Sequence, residues 1–111
     1  MKVKIIPSPE FDRRFKRLAK KYRSLPADYL TLSDELKENP FQDESLGGGV
    51  RKIRMAIGSK GKGKSGGARV LTLTILVSED ADVTLLTIYD KEEIDNVTDS
   101  YIKWLVSEAR T

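Results

Sequence analysis

The sequence predicts an α+β domain in which an N-terminal strand and a helical hairpin pack on an antiparallel sheet, closed by a short C-terminal helix. Three observations predict it. Apolar residues recur at helical spacing through most of the first 40 positions. Runs rich in β-branched residues then follow one another between residues 50 and 89, joined by turn-type segments. Helical spacing returns at the C-terminal end. With 111 residues, no internal repeat and no long linker, the chain is expected to form one domain over residues 1–111.

Each element has its own signature. Val3–Ile6 is a short β-branched run, read as the first strand. Ser8-Pro9-Glu10 follows with an N-cap residue, a proline suited to the first helical position and an acid for the first turn. Phe11, Phe15, Leu18, Ala19 and Tyr22 then form one apolar stripe, and Arg13, Arg14, Lys16, Arg17, Lys20 and Lys21 fill the other face. Ser24-Leu25-Pro26 breaks this helix and starts a second, striped by Tyr29, Leu32 and Leu36 and stopped at Asn39-Pro40. Residues 40–49 read as a loop. In Val50–Ile57, alternation puts Ile53, Met55 and Ile57 on one face and Lys52 and Arg54 on the other. A polar glycine-rich connection, residues 58–67, leads into a strand over Ala68–Val77. A turn at Ser78–Asp82 joins it to Val83–Tyr89. Thr98 or Asp99 caps a last helix carrying Ile102, Leu105, Val106 and Ala109. The order β-α-α-β-β-β-α suggests helices on one face of the sheet. Trp104 is expected to pack in the core or an interface.

Composition narrows the chemistry. There is no cysteine, which excludes disulfides, thiolate metal sites and cysteine nucleophiles. There is no histidine, so acid–base work falls to Lys, Tyr, Asp or Glu. No metal and no cofactor is expected. The start of the chain lacks a signal-peptide apolar core, and no stretch approaches a membrane span, so a soluble, cytoplasmic protein with no membrane partner is expected.

The net charge is only +3, but it is segregated. Residues 1–23 carry nine Lys/Arg and two acids; residues 51–69 carry seven and none. Residues 70–111 hold three bases and nine acids. A cation block without acids is the footprint of a phosphate-binding surface. The plainer reading is a solvated basic face.

Gly58 to Ser65 matches the phosphate-loop pattern G-x-x-x-x-G-K-[ST]. That motif works because a helix N-terminus follows it and converges on phosphates. Here Gly66-Gly67 and a β-branched strand follow instead, so nucleotide binding is set aside. The segment reads better as a mobile basic loop, with Lys60, Lys62 and Lys64 supplying charge to RNA, or as a solubilising surface loop.

The stretches NPFQDESLGGGVRKIRM, SKGKGKSGGARV and LLTIYDKEE, preceded by FKRLAKKYRSL, resemble the RelE/ParE superfamily of toxins over most of the chain. The HigB-like branch is the nearest in pattern. The resemblance implies a toxin of a type II toxin–antitoxin module. Such a toxin enters the ribosomal A site and cuts messenger RNA without a metal, the ribose 2′-hydroxyl attacking the adjacent phosphate. It implies a cognate antitoxin, with the ribosome and mRNA as targets and operator DNA met only through the antitoxin complex.

Carried over residue by residue, Lys52 and Arg54 match the family's basic pair, Arg69 the phosphate-holding arginine, and Tyr89 an aromatic or acid–base position; Lys91 lies beside it. Clustered cations disfavour further positive charge, which makes Lys52 a base candidate. Arg54 and Arg69 are expected to clamp phosphate, Tyr89 to stack on a base or donate a proton, and Lys91 to touch RNA. Each has a plainer role: a solvated strand face for Lys52 and Arg54, a strand anchor for Arg69, a core cap for Tyr89. The sequence departs from relatives in carrying Glu92-Glu93 where some have another catalytic arginine. The tyrosine that some place in the last helix has no clear match, although Tyr101 is near. Competing readings are a ParE-like DNA gyrase inhibitor, a non-catalytic nucleic-acid-binding module, and a toxin that has lost activity.

Overall fold

A computed structural model describes residues 1–110. The elements are β1 (Val3–Pro7), α1 (Pro9–Lys21), α2 (Leu25–Glu38), β2 (Glu44–Gly47), β3 (Val50–Met55), β4 (Ala68–Val77), β5 (Asp80–Asp90) and α3 (Asp99–Ala109), with a 3-10 turn at Gly58–Lys60. The sheet order is β1-β5-β4-β3-β2. The α+β class, the helical hairpin and the short last helix are as the sequence predicts.

Local chemistry explains the boundaries. The Ser8 side chain accepts from the Phe11 amide at 3.1 Å, and Pro9 occupies the first turn of α1. Thr98 accepts from the Tyr101 amide at 3.1 Å and caps α3. Ser24 precedes α2, but its hydroxyl is turned to Asp28 rather than to a helix amide.

Four details differ from the sequence reading. The sheet is mixed, because β1 runs parallel to β5 while the other pairs are antiparallel. Residues 44–47, read as loop, form edge strand β2; all four are exposed, so no burial pattern announces them. The β4–β5 turn is tighter, with Val77 facing Asp80 and Ser78 at φ +58°. The helices do not share one face. Phe11, Leu18, Leu25, Leu32 and Leu36 of α1 and α2 pack on Ile53, Val70, Val83, Leu85 and Ile88. Leu105 of α3 packs on the opposite face with Val50, Leu71, Leu73, Leu86 and Tyr89. Burying each such side chain contributes about 1.5–3 kcal/mol.

A bulge permits this two-sided core. Leu71 faces Thr87 but Thr72 faces Leu85, leaving Leu86 unmatched. Leu85 therefore serves the α1/α2 side and Leu86 the α3 side. Trp104 is not in the core: it is 45% exposed and stacks on Tyr101 with ring centroids 6.0 Å apart.

Candidate functional site

The helix α3 covers only part of its sheet face. Beside it lies an open groove of about 460 Å³ lined by Asp43, Glu44, Lys52, Arg54, Arg69 and Lys91. Four of the six are cations. Strand register builds it: Arg54 on β3 faces Arg69 on β4, and Arg69 faces Tyr89 on β5. Lys52 stands two residues from Arg54 on the same face, as alternation predicts, with Glu44 of β2 opposite it.

The cations are held differently. Arg54 is half-exposed and meets only Asp43, at 3.7 Å. Asp43 sits in left-handed backbone at φ +62°, and its carboxylate also accepts from the Arg54 amide at 2.9 Å. The Lys52 ammonium donates to the Asn96 side-chain oxygen at 3.3 Å. Lys91 donates to the Asp95 carboxylate at 2.7 Å, and this bond holds the Asp95 pKa below its ordinary value.

Arg69 is buried, and its guanidinium donates to three carbonyls: Lys64 at 3.0 Å, Ala68 at 3.2 Å and Ser65 at 3.2 Å. The planar fork suits this, because one group reaches several acceptors at once. Arg69 thus anchors the strand start, its plainer role, while still lining the groove.

Tyr89 does not offer its ring to the groove as a stacking platform. It is 5% exposed and packs in the α3-side core. Burial raises the pKa of its hydroxyl, which has no hydrogen-bond partner among the described residues. The ring-in-core alternative is the one the structure carries. Tyr101 is also occupied: its hydroxyl donates to Glu10 at 2.6 Å and meets the Thr87 hydroxyl at 2.9 Å.

The glycine-rich segment is not the open basic loop the sequence suggested. The Gly58 amide donates to Asp28 at 3.0 Å and the Ser59 amide to the Ser24 hydroxyl at 2.8 Å. The Lys91 amide donates to the Gly67 carbonyl at 3.1 Å. Gly67 itself is required by close approach, since a Cβ there would lie 2.1 Å from the Met55 carbonyl.

The three loop lysines, expected to reach RNA, are paired within the protein. Lys60 is an internal residue: its side chain is 6% exposed and donates to Asp90 at 2.8 Å. Lys62 pairs with Glu92 at 2.7 Å and Lys64 with Glu35 at 3.2 Å; both remain on the surface. Glu92 and Glu93 therefore act as counter-ions, the latter for Arg17 at 3.0 Å and Lys21 at 3.5 Å.

The sequence reading missed Asp43, Glu44, Asn96 and Asp90. The first two fell in a segment taken as loop. Asp90 carried no signal beyond being an acid at the end of an apolar strand. The assembled groove can hold a phosphate between two guanidiniums and two ammoniums, with carboxylates in reach of a proton. Among the described residues, no group of three or more acidic side chains is placed to hold a metal ion, and no helix is long and apolar enough to cross a membrane. Compared with known families, residues 11–111 match the model described as the RelE toxin of the RelE / RelB toxin-antitoxin system.

Proposed function

The chain belongs to the RelE toxin family, a toxin of a toxin–antitoxin system whose partner is a cognate antitoxin, and on that premise we propose that it is a ribosome-dependent mRNA endonuclease of the cytoplasm. The observation that carries this reading is the groove in which Arg54 and Arg69 face each other across two strands with Lys52 and Lys91 beside them. A backbone phosphate seated there meets two forked donors, which suit the charge that grows on its oxygens during in-line attack.

In the proposed step, the ribose 2′-hydroxyl attacks the adjacent phosphorus. Lys52 takes the hydroxyl proton. The bond from phosphorus to the 5′ oxygen breaks, and the Lys91 ammonium protonates that oxygen. A 2′,3′-cyclic phosphate and a free 5′-hydroxyl result. Tyr89 has no part in this version, because its hydroxyl is buried and the residue is not among those that line the groove. The HigB-like branch remains the nearest in pattern, and the antitoxin is proposed to mask the groove.

The test is primer extension on mRNA from a cell-free translation reaction, comparing wild type with Lys52→Ala and Arg54→Ala. These side chains are on the surface, so their loss should leave the fold intact. Ribosome-dependent cuts within codons that vanish in both variants support the proposal. Intact mRNA with wild type overturns it and turns attention to gyrase inhibition, read by DNA supercoiling.

A further inference from the structure

Behind the groove, on the α1/α2 side of the sheet, lies a buried ionic cluster whose own residues do not line it. Asp90 faces Ala68 in register, one residue before Arg69. Its side chain is fully buried. An isolated carboxylate there would be costly, and three donors offset that cost. The Lys60 ammonium lies at 2.8 Å, the Glu92 amide at 3.0 Å, and the Tyr22 hydroxyl makes a short bond. The Lys60 ammonium also sits 5.5 Å over the Tyr22 ring and 3.1 Å from Glu92. Burial pushes the Asp90 pKa up, but the Lys60 and Tyr22 hydrogen bonds outweigh it and hold it below the ordinary value. Burial likewise opposes charge on Lys60, and the bonds to Asp90 and Glu92 prevail. Both groups stay ionised.

Lys60 belongs to the glycine-rich segment. Four and five residues further on, the carbonyls of Lys64 and Ser65 hold the Arg69 guanidinium. Between them, Gly61 and Gly63 take left-handed backbone, at φ +66° and +64°, and have no side chain of their own to fix the path. Gly58 and Ser59 tie the start of the segment to Asp28 and Ser24, and the Lys60–Asp90 pair is its buried tie nearest those glycines.

We propose that Asp90 is a positioning residue: by clamping Lys60 it fixes the glycine-rich segment whose carbonyls aim Arg69 at the groove. The consequence for cleavage rests on the nuclease reading above; the clamp itself does not. The two can be tested apart with Asp90→Asn, Lys60→Met and the double variant. Thermal unfolding reports the fold. Amide exchange of residues 58–67 and the Arg69 side-chain N–H signal in NMR report the clamp. Ribosome-dependent cleavage reports the coupling.

Each single variant takes the closest counter-charge from a buried group, leaving Lys60 with Glu92 at 3.1 Å or Asp90 with Lys21 at 3.9 Å, and should be destabilised. The double variant removes both charges and should recover much of the lost thermal stability. Loop exchange in the double variant should nevertheless stay about tenfold faster than wild type, with an altered Arg69 signal and kcat about tenfold lower while KM changes little. A double variant that regains wild-type exchange, Arg69 signal and kcat overturns the proposal, because Asp90 would then serve stability alone. So does a single variant whose loop exchange and Arg69 signal match wild type. If wild type cuts no mRNA, the nuclease reading fails, and the exchange and Arg69 signals still decide whether the clamp exists.

Discussion

Arg54 and Arg69 face each other across two strands of one groove, yet replacing each by lysine should affect the fold unequally. The Arg69 guanidinium is 8% exposed and spans three carbonyls at 3.0–3.2 Å. A lysine ammonium at the end of a flexible stem keeps one of these bonds. Two bonds from an ionised donor are lost, each worth about 1.5–3 kcal/mol where the acceptor is left dry. The Lys64 and Ser65 carbonyls are near the surface and recover part of this from water, which leaves a cost of about 2–3 kcal/mol. For a domain of this size that is roughly 10 °C in Tm. Arg54 is half-exposed and pairs only with Asp43 at 3.7 Å, so Arg54→Lys should cost under about 1 kcal/mol. Both variants lose the forked phosphate contact, so cleavage should fall in both. Urea unfolding and primer extension read the two effects separately. Equal stability losses in the two variants would refute the claim that Arg69 doubles as the loop's anchor.

Gly67→Ala should destabilise the protein by about 2–4 kcal/mol, because its Cβ would sit 2.1 Å from the Met55 carbonyl and 3.0 Å from the Ile57 amide nitrogen; urea unfolding checks this. Glu10 should contribute to acid sensitivity. Burial raises its pKa, but bonds from Tyr101, Arg13 and Arg14 outweigh this and leave it below the ordinary 4.5. A depressed carboxylate stabilises the fold above its unfolded value and loses that contribution as pH falls through the folded one. Wild type should therefore lose more stability than Glu10→Gln between about pH 5 and about pH 3, and parallel losses would exclude it. Lys62 and Lys64 pair with Glu92 and Glu35 at the surface. Alanine at both should change stability by under about 1 kcal/mol for each, while lowering the salt dependence of RNA binding by about 0.7 in log–log slope for each lysine that meets a phosphate. An unchanged slope would assign both to the loop alone.

The helix boundaries were legible because capping is local. Ser8-Pro9-Glu10 carries within three residues all that α1 needs to start, and the cap forms where the pattern places it. β4 was legible because a buried central strand reads as a continuous apolar run, and its bounds match the sequence reading. β2 was not, since strand Glu44–Gly47 is exposed on both faces and is held by pairing with β3 rather than by burial. The side taken by α3 was hidden by the bulge at Leu86. One extra residue moves Thr87 and Tyr89 to the face that strict alternation from Val83 denies them, so the face assigned to the last helix shifts with it.

The site divides along the same line. Lys52 and Arg54 could be placed from alternation, a rule that looks two residues ahead. Lys60, Lys62 and Lys64 share that spacing and look equivalent, but the first lies in a 3-10 turn and its fate depends on Asp90, thirty positions away. Counting cations could not separate these residues; their counter-ions do. In the acid-free block from 51 to 69, the three loop lysines each find a carboxylate within 3.2 Å. Lys52 and Arg69 instead donate their hydrogen bonds to neutral oxygens, and Arg54 reaches its acid only at 3.7 Å. A cation already matched by a close carboxylate must break that pair before it can bind phosphate, whereas one resting on neutral acceptors exchanges them at less cost. Glu92-Glu93, read from the sequence as the loss of a catalytic arginine, serves this division: these acids neutralise Lys62 and α1 and leave the groove as the place where the block's charge is least compensated.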